Sequence, residues 1–324
     1  MKLELARSAG FCYGVRRAVE MAEQAARSGC RCVMLGPVIH NGSVIERLKA
    51  QGVALAETPE QVPEGAAVII RSHGEGRPVH QALAARGCRV IDATCPNVAR
   101  IHHLVARAEA EGRQVLIIGM RAHPEVQAIA GWCGHPVVLE GAQELEQWLQ
   151  EGPERKSLPL TMVSQTTSTQ MIWDLSVEKA KKQCTNLKIF DTICNATWAR
   201  QQEAEDLSQK CDIIVVIGGH HSSNTQKLVQ VAAKHTRAVT VETASELRPE
   251  WFADVKVAGV TAGASTPSSI IEEVLNSMSA EINDSMSFEE MLNASEEKRV
   301  HAGSIVKGIV TSISANEIQV DIGA

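Results

Sequence analysis

The chain has 324 residues, is 44% hydrophobic and 22% charged, and carries a net charge of −6 with only 3% aromatic residues. A mainly acidic chain with few aromatics does not suit a general nucleic-acid binder, so any anionic ligand has to be held by local groups in a pocket. The opening Met1-Lys2-Leu3-Glu4-Leu5-Ala6-Arg7 has no signal-peptide core, and no later apolar run approaches the roughly 18 residues of a membrane span, so a soluble, cytoplasmic protein without membrane contact is expected.

Short Val/Ile-rich runs begin at Cys32-Val33-Met34-Leu35, Ala67-Val68-Ile69-Ile70, Val115-Leu116-Ile117-Ile118, Ile213-Ile214-Val215-Val216-Ile217 and Val255-Lys256-Val257-Ala258-Gly259-Val260. Helical periodicity falls between them, over 98–111, 168–184, 198–210, 225–235 and 268–278. Apolar strands alternating with amphipathic helices predict an α/β class with parallel sheets and right-handed crossovers. Ligands of such folds bind beyond the carboxyl ends of the strands. The polar motifs lie there: Gly36-Pro37-Val38-Ile39-His40-Asn41, Arg71-Ser72-His73-Gly74, Gly119-Met120-Arg121-Ala122-His123-Pro124-Glu125 and Gly218-Gly219-His220-His221-Ser222-Ser223-Asn224-Thr225.

Nine cysteines in a reducing compartment argue for metal or redox chemistry over a disulfide framework. Cys12, Cys95 and Cys194 each follow a strand-like run and precede a helix-like one, and the last two share an Asp-x-x-Cys frame. Three thiolates gathered on one soft metal centre leave a position open for substrate, whereas a structural zinc site closes with four ligands. The plainer reading, buried small hydrophobes, is preferred for Cys30, Cys32, Cys88, Cys133, Cys184 and Cys211. The three cysteines divide the body into comparable α/β segments at about 1–90, 91–190 and 191–280, each with its cysteine near its start. A coarse internal repeat around a pseudo-threefold axis would bring the thiols to a common centre.

His40, His73, His123, Ser222, Asn224 and Ser265 sit on the same post-strand turns, where free N–H groups, hydroxyls, an amide and imidazoles suit a phosphate or diphosphate. A Ser or Asn before a helix is alternatively a simple cap. Glu125 is a candidate proton donor if burial near an anion raises its pKa, and equally an ordinary first-turn acid behind Pro124.

Together, Phe11-Cys12-Tyr13-Gly14-Val15, His40-Asn41, Ser72-His73-Gly74, Asp92-Ala93-Thr94-Cys95-Pro96, His123-Pro124-Glu125-Val126, Gln165-Thr166-Thr167, Asp191-Thr192-Ile193-Cys194-Asn195-Ala196-Thr197, Ser222-Ser223-Asn224-Thr225 and Ala262-Gly263-Ala264-Ser265 resemble the 4-hydroxy-3-methylbut-2-enyl diphosphate reductases, the LytB/IspH family, over about residues 1–280. The resemblance implies a three-lobed trefoil around a central iron-sulfur cluster and the last step of the non-mevalonate isoprenoid pathway. That step is a two-electron reductive dehydroxylation yielding isopentenyl and dimethylallyl diphosphate. It further implies that Cys12, Cys95 and Cys194 hold one 4Fe-4S cluster with an open fourth iron. His40, His73, His123, Ser222, Ser223, Asn224 and Ser265 would hold the allylic diphosphate. Glu125 would deliver protons with Thr166, beside His123, and Thr197 would orient the hydroxyl end. Without a nicotinamide fingerprint, electrons would come from an external protein of the ferredoxin or flavodoxin type. One departure is Asn97, where an apolar residue is expected and nothing catalytic is put in doubt. A quinolinate-synthase-like enzyme also suits three cysteines on a pseudo-threefold scaffold, but it does not need this combination of motifs.

Residues 281–302 turn polar and read as a linker, and 303–313 with 317–323 alternate like a β-hairpin. This end resembles the first strands of the ribosomal S-one RNA-binding repeat, an OB-type barrel that cannot close from about twenty residues. A truncated repeat over 303–324 is expected, with RNA binding possible only for a complete one.

Overall fold

The computed structural model describes residues 1–280 and the backbone of 309–313 and 318–321. In chain order the body runs β1 (Lys2–Leu5), α1 (Tyr13–Arg27), β2 (Cys32–Leu35), α2 (Gly42–Ala50), β3 (Ala54–Ala56), β4 (Ala67–Ile70), α3 (Arg77–Ala85) and β5 (Arg89–Asp92). It continues with α4 (Pro96–Ala110), β6 (Gln114–Ile118), α5 (Pro124–Ala130), β7 (Val137–Leu139), α6 (Ala142–Glu151), β8 (Pro159–Ser164), α7 (Gln170–Gln183) and β9 (Asn186–Ile189). Then come α8 (Asn195–Ser208), β10 (Ile213–Ile217), α9 (Ser223–Ala232), β11 (Arg237–Val241), β12 (Val257–Ala262) and α10 (Ser268–Ala280). All five strand-like runs and all five helical stretches read from the sequence fall on such elements.

Three four-stranded parallel sheets result, with strand orders β3-β2-β4-β5, β7-β6-β8-β9 and β11-β10-β12-β1. The orders are equivalent, and the third sheet takes its last edge strand from the chain's N-terminus. The repeat is therefore offset from the 1–90, 91–190 and 191–280 division. Each cysteine follows the edge strand that completes a sheet, β1, β5 or β9, and does not open a segment.

The chain forms two compact units. Residues 1–13, 40–42 and from 195 onward make one, and 14–39 with 43–194 make the other. In the first unit Val215, Ile217 and Val260 pack one face of the sheet against Ile271, Val274, Leu275 and Met278 of α10. Ile214 and Val216 turn the other way, onto Leu228 and Ala232 of α9 and Ala204 of α8. The two-residue period of a strand puts successive side chains on opposite faces, so a sheet covered on both sides reads as an unbroken apolar run. The second unit repeats this. Val115 and Ile117 face α4 and α5 through Ile101, Val105 and Ile129, while Leu116 and Ile118 face α6 and α7 through Leu145, Leu149 and Trp173. A wholly buried Ile such as Ile117 contributes about 1.5–3 kcal/mol in the transfer of its side chain from water.

Near the C-terminus β13 (Ile309–Ile313) and β14 (Ile318–Asp321) pair antiparallel, Ile309 opposite Asp321 and Ile313 opposite Ile318. The two strands fall on the two alternating segments read from the sequence. The linker at 281–302 lies outside the described residues.

Candidate active site

The three sheets end in equivalent turns. Gly36, Gly119 and Gly218 each donate their N–H to the last residue of an edge strand, Ala56 (2.8 Å), Leu139 (2.9 Å) and Val241 (2.9 Å). Four residues beyond these glycines come His40, His123 and Ser222. The cysteines obey the same rule one strand over. The N–H of Cys95 donates to the Ser72 carbonyl (2.9 Å), that of Cys194 to Thr166 (3.0 Å) and that of Cys12 to Ala264 (3.2 Å). Each acceptor lies two residues past the end of the neighbouring inner strand, β4, β8 or β12.

The Asp-x-x-Cys frame now has a physical reason. Asp92 Oδ1 accepts from the Thr94 N–H (2.9 Å) and Asp191 Oδ1 from the Ile193 N–H (3.1 Å), side-chain turns that aim the next residue at a helix start. Cys12, Cys95 and Cys194 immediately precede α1, α4 and α8, helices of 15, 15 and 14 residues. Helix N-termini favour negative charge such as that of a metal-bound thiolate. Gly14 leaves room for the Cys95 sulfur, which a side chain at position 14 would strike. None of the nine cysteines is in a disulfide. Burial pushes the thiols of Cys133 and Cys211 up to about 11 and raises those of Cys32 and Cys184, which keeps them protonated. The donor chemistry of Cys12, Cys95 and Cys194, soft sulfur at helix starts with a fixed backbone, fits a cluster held by three thiolates.

In the second unit α5 carries the acid. Glu125 is 2% exposed, and its carboxylate accepts from the Thr166 N–H at 2.6 Å and from Thr166 Oγ1 at 2.7 Å. Burial raises its pKa above the ordinary glutamate range, while the two Thr166 hydrogen bonds pull the other way. His123 caps α5, its Nδ1 accepting from the Glu125 N–H at 3.1 Å, so a neutral ring carries its proton on Nε2. The His73 ring meets that of His123 edge-on, with centroids 5.4 Å apart. Because the Thr166 carbonyl also holds the Cys194 N–H, one threonine ties the buried acid to a candidate ligand. His73, His123, Glu125, Thr166, Cys95 and Cys194 thus share this unit.

The first unit holds Cys12, His40, Thr197, Ser222, Ser223, Asn224 and Ser265. Ser222 does act as a cap, its side chain accepting from the Thr225 N–H at 3.4 Å. Ser223 and Asn224 are buried in the first turn of α9, and both polar atoms of the Asn224 amide have no partner among the described residues. A buried amide left this way costs about 1–3 kcal/mol, which a bound ligand would recover. The φ of 152° at Gly218 and the nearness of Thr225 and Thr266 leave no space there for a side chain. Gly219 approaches the His40 backbone carbonyl, where a Cβ would stand 3.4 Å away. The loop leading to Cys12 is clamped by Glu203 of α8, which accepts from the Arg7 (2.6 Å) and Ser8 (2.9 Å) N–H groups, and by Arg200 Nη2 donating to Gly10 O at 2.8 Å. Thr197 is buried in the first turn of α8, and Ser265 is half-buried beside the carbonyl that receives Cys12.

Sequence reasoning named two further residues without giving either a role. Gln165 accepts from the Met120 N–H (3.0 Å) and donates to Thr167 Oγ1 (2.8 Å), locking two post-strand turns together. Asn97 donates from Nδ2 to Cys194 Sγ at 3.2 Å. Its polarity at a position expected to be apolar was the available signal.

The fold and the site define an α/β protein of three parallel sheets, with a thiol at the start of a helix beyond each sheet and a buried carboxyl in the second unit. The chain is a member of the LytB protein family, whose model matches residues 3–279. A 4-hydroxy-3-methylbut-2-enyl diphosphate reductase of Thermoanaerobacter sp. (strain X514) is 40% identical over 284 residues, covering 85% of this chain and 96% of that one. One from Clostridium acetobutylicum is 36% identical over 333 residues, covering 99% of this chain and 51% of its own length. A solved (E)-4-hydroxy-3-methyl-but-2-enyl diphosphate reductase, described as the terminal enzyme of the non-mevalonate pathway, superposes with a TM-score of 0.64 at 37% identity, covering 86% of this chain and all of that one.

Proposed function

We propose that the chain is a 4-hydroxy-3-methylbut-2-enyl diphosphate reductase that removes the allylic hydroxyl with two electrons and two protons, releasing water and giving isopentenyl and dimethylallyl diphosphate. The observation that carries the reading is the Glu125–Thr166–Cys194 connection, a buried acid and a candidate ligand joined through one residue in a LytB-family chain. That family match also sets aside the quinolinate-synthase-like alternative.

Cys12, Cys95 and Cys194 would hold one 4Fe-4S cluster, which when bound supplies electrons and an open, Lewis-acidic iron for the substrate oxygen. Glu125 stores a proton, because burial disfavours its carboxylate. When it is protonated, Oε2–H donates to Thr166 Oγ1, and the threonine's own hydrogen turns outward to the departing hydroxyl. His123, whose Nδ1 accepts from the Glu125 N–H, would donate to the diphosphate from its Nε2–H, with His73 edge-on beside it. His40, Ser222, Ser223, Asn224 and Ser265 add neutral donors, with the vacant hydrogen-bonding capacity of Asn224 supporting this role. Thr197, three residues after Cys194, orients the hydroxyl end.

Electrons come from an external ferredoxin- or flavodoxin-type protein. Among the described residues no helix is long and apolar enough to cross a membrane, and nine cysteines outside any disulfide suit the reducing cytoplasm proposed as its location. Residues 1–280 are proposed as the catalytic body, 281–302 as a linker and 303–324 as the start of an S-one-type repeat, with RNA a ligand only for a complete one. Support for the tail is its antiparallel strand pair and a match to the longer Clostridium acetobutylicum relative over 99% of this chain.

The test is anaerobic purification, iron and sulfide analysis, and an assay with the allylic diphosphate and a reduced viologen. Formation of both isoprenoid diphosphates is expected. A cluster-loaded protein that leaves the substrate unchanged would sink the reading.

A further inference from the structure

The threefold equivalence of the cysteine turns isolates one side chain that breaks it. Two residues after Cys12, Cys95 and Cys194 stand Gly14, Asn97 and Ala196. Gly14 and Ala196 have no polar side-chain atom. Asn97, at the second position of α4 behind Pro96, reaches across to the next sheet's turn and donates its Nδ2–H to Cys194 Sγ at 3.2 Å. The acceptor is fixed independently, since the Cys194 N–H is held by Thr166 O and Asp191 closes the turn before it. The donor is fixed as well, because Cys95 stands at the N-cap position of the same helix, its N–H held by Ser72 O and its carbonyl accepting from the Ala99 N–H. The hydrogen bond therefore joins two separately anchored turns of one unit.

We infer that Asn97 is a positioning residue that tunes the Cys194 ligand, raising the reduction potential of the bound cluster through a side-chain N–H···S hydrogen bond. The inference rests on the reductase reading above. Reduction adds negative charge to the cluster and its sulfurs, and a hydrogen bond donated to a ligand sulfur stabilises the reduced state more than the oxidised one. Charge-assisted hydrogen bonds are also the stronger ones, so the effect grows when Cys194 is a thiolate. Leucine fills a similar volume without a donor. Asn97→Leu removes the hydrogen bond and leaves Cys95, Cys194 and the acid untouched.

The experiment uses the anaerobically loaded protein, with iron and sulfide counted on every sample and the potential read by a redox titration followed by electron paramagnetic resonance. Asn97→Leu is expected to load its cluster and to be about tenfold harder to reduce, a shift of about 59 mV to more negative potential for one electron. The KM for the allylic diphosphate should stay within about twofold, because Asn97 is not a substrate donor. A loaded variant whose potential matches the wild type overturns the inference. Should Asn97→Leu fail to load, the reduced wild-type protein labelled with ¹⁵N in the asparagine side chain decides: a hyperfine coupling to that nitrogen supports the hydrogen bond, and its absence overturns it. Wild-type protein that takes up no iron or sulfide would instead sink the reductase reading.

Discussion

The start of α9 and the start of α5 use similar residues to opposite ends. At α5 the buried polar groups satisfy one another, with Glu125 receiving two hydrogen bonds from Thr166 and His123 capping the helix that carries it. At α9 Ser222 caps the helix, but the neighbouring Asn224 amide is buried with neither polar atom matched among the described residues. A satisfied lattice holds a group in one geometry, and an unsatisfied amide is a place prepared for a ligand. The proposed roles follow this contrast, with proton handling at Glu125 on α5 and anion recognition at α9, to which His73 and His123 of the second unit would add their donors.

The largest effect that would break this division is loss of the cluster itself. Cys95→Ser is expected to remove most of the iron and bring turnover to background. Cys211→Ser, whose thiol burial holds up at about 11 and which packs beside Gly259 under the sheet, should leave iron content unchanged. Equal iron in the two variants, measured by metal analysis, would separate the thiol turns from any metal role. Glu125→Gln comes next. It keeps shape and the hydrogen bond from the Thr166 N–H but has no proton to transfer, so kcat should fall by about 10²–10⁴ while substrate binding is kept. An increase in KM with unchanged kcat would move Glu125 to the anion-binding side of the comparison.

Asn224→Ala tests the other side. Losing a hydrogen bond to a charged group costs about 1.5–3 kcal/mol, so KM should rise roughly ten- to a hundredfold with a smaller change in kcat. Unchanged steady-state constants would reduce α9 to a capped helix. The smallest effect concerns stability. A carboxyl whose folded pKa lies above its unfolded value binds more protons in the native state, so its contribution is fully present below the ordinary value of 4.5 and is lost as pH rises toward the folded value. Glu125→Gln should then melt at a higher temperature than wild type near neutral pH and at a similar one below about pH 4. A thermal melt series whose difference grows toward acid pH would mean that the carboxylate, and not the acid, is the favoured form.

Much of this was legible in the chain. The five runs read as buried strands are inner strands, covered on both faces and therefore continuously apolar. The edge strands β3, β5, β7, β9, β11 and β1 carry exposed or half-exposed residues, and so lack that signature. Inner strand β8 escaped for another reason. It begins with Pro159 and carries Thr161 and Ser164, polar residues that break an apolar run and whose hydroxyls are satisfied by Arg113 Nε on Thr161 Oγ1 and by the Gln165 and Ile118 carbonyls accepting from Ser164 Oγ. The sequence also left the capping and functional readings of Ser222 and Glu125 open, and the structure gives Ser222 its cap while burying Glu125 against Thr166.

What the sequence by itself determined is chemistry of residue type and period: reduced cysteines after strands, glycine-led turns before helices, apolar runs of strand length, and the ordered motifs of the LytB family. These are local, because a two-residue period, an Asp closing its own turn or a proline starting a helix needs only near neighbours. Tertiary structure alone decided that β1 completes the third sheet, more than 250 residues before its partner β12. It likewise decided that Thr166 clasps Glu125 across 41 residues and that Asn97 meets Cys194 across 97. Such pairings depend on which strand ends the sheets bring side by side, and no periodicity within the chain encodes that distance.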